Sequence, residues 1–146
     1  MGPDIQFIDS VESKKALRVG TRVGVRLPAR RTAGKILLAD LPFAEVAQLH
    51  PELADDPAGL SALKRMLATT RRQGFSTAFQ EGERGVIALG MAVRGVTGAA
   101  IAIGVPTVRF NRGKIVDLLP ALTETVEGIR SDIIDLARPK PARQPR

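Results

Sequence analysis

Two stretches near the middle of the chain constrain its fold more than any other part. Read with period two, residues 85–93 place Ile87, Leu89, Met91 and Val93 on one face, and Val86, Ala88, Gly90 and Ala92 on the other. The next stretch repeats the pattern, with Ile101, Ile103 and Val105 opposite Ala100, Ala102 and Gly104. Two strands are therefore expected, over residues 85–94 and 98–105, each with a large face and a small one. The large face is ordinary core. The small face leaves space above the sheet that a closely packed helix or a ligand must fill, and the pattern by itself favours the helix, because Gly and Ala are common where backbones approach closely.

The remaining segments complete an α+β layout. Residues 5–13 and 15–19 read as a strand pair around Ser13-Lys14, followed by a loop or irregular strand carrying Gly20, Gly24 and Pro28. A first helix is expected over residues 32–39 with Thr32 as N-cap, and a short second one between Pro42 and Pro51. A third covers residues 58–73: Leu60, Leu63 and Leu67 form its stripe, Arg71 and Arg72 suit its C-terminal dipole, and Gly74 terminates it. A strand over residues 75–79 precedes the two long ones. After Pro120 a last helix carries Leu122, Val126, Ile129, Ile133 and Leu136 as a seam against this sheet or another subunit.

Composition removes several functions. The chain has no cysteine and one histidine, His50, which excludes thiol nucleophiles, thiolate metal sites and a paired-histidine site. His50 is expected at the surface, and no Asp, Glu, Lys or Ser pair has a catalytic spacing, so no enzyme is expected. No cofactor or metal is expected either. The net charge of +7 invites a nucleic-acid reading, but the tail "RPKPARQPR" carries four of the positive charges and the body only +3. With no Tyr or Trp and five scattered Phe, the body lacks a base-stacking platform. No apolar run is long enough to span a bilayer and no signal peptide opens the chain, so a cytoplasmic domain without a membrane partner is expected.

The segment "LPARRTAGKILLAD" joins glycine to lysine where a helix begins. A phosphate-binding loop would need a second glycine at the position of Ala29 and a hydroxyl at that of Ile36. Nucleotide hydrolysis is thereby excluded. What survives is a helix N-terminus at Thr32-Ala33-Gly34, whose free N–H groups suit an electronegative group.

These residues resemble the effector-binding domain of the IclR family of bacterial transcriptional regulators. The similarity runs from about Leu17 to Leu136 and rests on Gly34, Lys35, Leu37, Leu38 and Ala39; on Arg71, Gly74 and Phe75; on Glu81, Gly85 and Val86; and on Pro106 and Arg109. It implies a GAF-like α+β domain, an antiparallel sheet of about six strands with flanking helices and a ligand pocket on one sheet face. Residues 1–137 would form that domain and residues 138–146 a disordered, basic, Pro-rich tail. By this resemblance the pocket comprises Thr32, Ala33, Gly34, Ala78, Val86, Ala88, Ala102 and Gly104, four of which belong to the small face. The ligand explanation of that face then overtakes the packed helix.

Departures from the family refine the ligand. Relatives that bind hydrophilic acids carry an acidic residue where Ala78 stands, a cysteine at Ala88, and serines at Ala102 and Gly104. Without those groups a largely apolar effector is expected, an aromatic or aliphatic carboxylate being one form. Arg30 and Arg31 are candidates to pair with its anion. The family further implies a homodimer or homotetramer, and DNA binding only through an N-terminal winged helix-turn-helix absent from this chain. The alternative is a pure oligomerisation or protein-interaction module, its small face covered by its own helix.

Overall fold

The computed structural model describes residues 2–21 and 23–139. Strand β1 (Asp4–Gln6) pairs antiparallel with β2 (Arg26–Pro28), Ile5 lying opposite Leu27. A single 3-10 turn, Ala29–Arg31, leads through Thr32 to three helices: α1 (Lys35–Ala39), α2 (Phe43–Leu49) and α3 (Pro57–Gln73). Strands β3 (Ser76–Phe79), β4 (Val86–Ala92) and β5 (Ala100–Pro106) then form an antiparallel sheet in chain order, and α4 (Gly113–Ala137) follows.

The α+β class is as expected, but the strands number five among the described residues, in sheets of two and three rather than one sheet of about six. The expected pairing around Ser13-Lys14 does not form. Residue 5 instead finds its partner twenty-two positions on, and the intervening Ile8 and Val11 are 83% and 97% exposed. Local alternation there was not backed by an apolar surface to pack on, and strand pairing follows such packing.

Two clusters make the core. Leu38, Ala39, Val46, Leu63 and Leu67 join α1, α2 and α3, and the Arg71 guanidinium donates to the carbonyls of Ala39 and Leu41, closing the C-terminal end of α1. The second cluster sets Leu122 and Val126 of α4 on Leu89, Met91, Ile101 and Ile103, which are the large face of the sheet. That face is therefore roofed by α4, and the small face is turned toward α1.

Helix α3 ends as its residues dictate, with Gly74 left-handed at φ 80°. At its start the Asp56 carboxylate accepts from the Gly59 N–H at 2.9 Å. Asp56→Ala is expected to cost about 1 kcal/mol, measurable as a lowered urea midpoint. Helix α4 begins earlier than expected and runs through Pro120, because Ile115 and Leu118 already pack on the sheet. The lost bond at one proline is outweighed by that burial. Its seam meets the sheet only over the first half: Ile133 and Leu136 are 39% and 85% exposed.

His50 is buried, not on the surface. Its Nδ1–H donates to the Val46 carbonyl at 2.8 Å, which satisfies the ring at the end of α2. The basic tail lies, for residues 140–146, outside the described residues.

Candidate functional site

Strand register assembles the small face. Ala78 stands opposite Ala88, Ala88 opposite Gly104, Gly90 opposite Ala102, and Ser76 opposite Gly90. Directly paired residues share a face, so Ser76, Ala78, Ala88, Gly90, Ala102 and Gly104 form one surface of small side chains.

Half of this surface is covered. A Cβ on Gly90 would lie 2.6 Å from the Ala33 carbonyl oxygen and 2.8 Å from its Cβ, so the chain entering α1 rests directly on the middle of β4. The Ser76 hydroxyl donates to the same carbonyl and fixes the contact. The packed-helix explanation thus accounts for Gly90. It stops there, for Ala102 and Gly104 are exposed and Ala88 is only partly buried. At the far side Val19 reaches over the sheet, 3.1 Å from where a Cβ of Gly104 would stand.

The approach to α1 is more committed than its sequence suggests. The Thr32 hydroxyl accepts from the Gly34 N–H at 3.1 Å, the Lys35 N–H bonds the Thr32 carbonyl, and the Ile36 N–H bonds that of Ala33. Among the described residues, the Ala33 N–H alone of these amides is left without a partner, so the expected group of free donors reduces to one. Arg31 Nε donates to the Glu81 carbonyl at 2.9 Å, across the β3–β4 turn. Arg30 lies 3.4 Å from the Glu52 carboxylate, beyond α2. Both arginines have protein partners, and the geometry binds neither to the small face.

Lys35 is the residue whose role only the fold reveals. Its side chain is 6% exposed, and Nζ meets the Glu81 carboxylate at 2.5 Å and donates to the Thr77 carbonyl at 2.9 Å. The lysine that imitates a phosphate loop is thus the tie between α1, β3 and the turn after β3. Glu81 lies forty-six residues away, so no spacing rule could have joined the two. Beside this pair, between β3 and α3, lies an open groove of about 360 Å³ lined by Lys35, Arg65, Thr69, Gln73, Thr77 and Glu81, among others.

Chemically, the small face offers apolar contact and a single hydroxyl, that of Ser76, which is already committed to the Ala33 carbonyl. No three His, Asp or Glu among the described residues converge as a metal site, and no described helix is long and apolar enough to cross a membrane.

The family description "Bacterial transcriptional regulator IclR C-terminal" matches residues 1–131. The chain belongs to the IclR family. It is similar to SauR of Cupriavidus necator, named as a transcriptional regulator, at 34% identity over 83% of this chain and 52% of SauR. A solved transcriptional regulator from Rhodococcus sp. RHA1 superposes with a TM-score of 0.83 at 30% identity, covering 94% of this chain and 60% of that one. The inducer-binding domain of PobR from Acinetobacter, solved as a double mutant with 3-hydroxybenzoic acid, superposes with a TM-score of 0.64 at 28% identity, covering 75% and 69%. The chain spans about half the length of the curated IclR-family relatives it matches. It corresponds to the C-terminal domain of such a regulator, and the names of these relatives point to regulation rather than catalysis.

Proposed function

We propose that this IclR domain senses a small, largely apolar effector, an aromatic or aliphatic carboxylate being the first candidate, on the small face between α1 and β5. A homodimer or homotetramer would pass the signal to a DNA-binding part in the cytoplasm. The observation that carries this reading is the half-covered face: Ala33 closes it over Gly90, while Ala88, Ala102 and Gly104 stay accessible with no polar side chain to satisfy. Thr32, Ala33 and Gly34 would form one wall, and Ala78 and Val86 the floor beside Ala88. The lone Ala33 N–H suits a single carboxylate oxygen. Arg30 and Arg31 would contribute only by leaving Glu52 and the Glu81 carbonyl. The likeness to a domain solved with 3-hydroxybenzoic acid supports an aromatic acid as the first compound to test.

Preferential binding to the folded state raises stability by about 2.7 kcal/mol at a hundred times Kd, or about 8 °C for a domain of this size. A melting-temperature screen of aromatic and aliphatic acids is expected to find such a compound. Ala88→Leu and Gly104→Val fill the exposed part of the face and are expected to abolish the shift while the fold survives. A full shift kept in both variants would place the effector elsewhere.

One observation favours a second reading, an interaction module without ligand. Ile133, Ile134 and Leu136 leave the distal half of α4 apolar and uncovered. Self-association lost in Ile133→Ser, together with no stabilising compound in the screen, would favour it.

A further inference from the structure

The groove between β3 and α3 lies outside the small face. We infer that it is a second binding site, for a small hydroxylated oxyanion, a carboxylate or a phosphate, held by Lys35 and Arg65. Its volume of about 360 Å³ falls in the range of small-molecule sites. One wall is a single face of α3, where Arg65, Thr69 and Gln73 follow one another at intervals of four residues. The other is Lys35, Thr77 and Glu81.

Two cations against one carboxylate give the lining a positive balance. An ammonium has three N–H donors; Lys35 gives one to the Thr77 carbonyl and one to Glu81, and the third has no partner among the described residues. This side chain is 6% exposed and Lys35 lines the open groove, so the third donor is left to whatever occupies the groove, water or ligand. Arg65 is exposed and has no acidic partner among the described residues. An oxyanion seated between them takes the third Lys35 donor at the floor and the guanidinium at the mouth. The hydroxyls of Thr69 and Thr77 and the Gln73 carboxamide then meet hydroxyl groups on the ligand.

The test is amide NMR of this chain at constant ionic strength, titrated with inorganic phosphate in one series and glycerate in another. Saturable shifts confined to Thr69, Gln73, Thr77 and Glu81 and their neighbours are expected with at least one probe, the tighter one identifying the headgroup. Arg65→Gln, at an exposed position that leaves the fold intact, is expected to weaken that binding by about tenfold. Ala88→Leu is expected to leave it unchanged, which separates this site from the small face. Responses that stay linear with both probes, shifts scattered over other basic residues, or equal affinity in Arg65→Gln would overturn the inference.

Discussion

A Gly90→Val variant is expected to lose about 3 kcal/mol of stability. Even the first added carbon would stand 2.6 Å from the Ala33 carbonyl oxygen and 2.8 Å from the Ser76 hydroxyl. Neither neighbour can retreat cheaply: one is backbone, and the other is the fully buried donor that holds that backbone down. The entry to α1 would have to lift from the sheet, leaving Ser76 without its acceptor. Urea unfolding with an unchanged slope and a lower midpoint checks this. A variant as stable as the parent would mean that α1 does not rest on β4, and the wall assigned to the effector site would fall with it.

Leu38→Ala is expected to be comparably severe, at about 3 kcal/mol. Leu38 is fully buried at the centre of the helical cluster, among Val46, Leu63 and Leu67. Its neighbours belong to two other helices, and no single movement refills the space left by the lost carbons. Because α1 is only five residues long, it holds its place through this side chain, the Lys35 tie and the Arg71 contacts at its end rather than through its own hydrogen bonds. Thermal unfolding measures the loss. Leu136→Ala, at a position 85% exposed, is the internal control and should be near neutral.

Legibility in the sequence followed how local each cause was. The end of α3 was readable because stripe and terminator act within a few residues: Leu60, Leu63 and Leu67 mark the helix and Gly74 ends it, whereas the Asp56 cap at its start emerged only in the structure. The two long strands were readable because alternation over seven residues reports a sheet with two unlike faces. The first strand pair was misplaced because β1 and β2 are three residues each, too short for period to locate them. At His50, polarity suggested the surface, whereas the Val46 carbonyl four residues back supplies the bond that lets the ring be buried.

The same division runs through the candidate site. Its floor was visible as the Ala and Gly positions of β4 and β5, and the family resemblance added Ala78 from β3. Its walls were not. That Thr32 serves Gly34, that Arg31 reaches the Glu81 carbonyl, and that Lys35 turns inward to Thr77 and Glu81 each depend on distance in space.

By itself, the sequence determined the α+β class, the end of α3, the two-faced sheet and the membership of the IclR family. Those follow from side-chain size and backbone preference, which act over a few residues, and from motifs kept in order along the chain. Only the tertiary structure decided how much of the small face stays open, and that the Gly-Lys pair is a tie rather than a phosphate loop. Both depend on which surface packs against which, and packing joins residues such as Lys35 and Glu81 that no local rule connects.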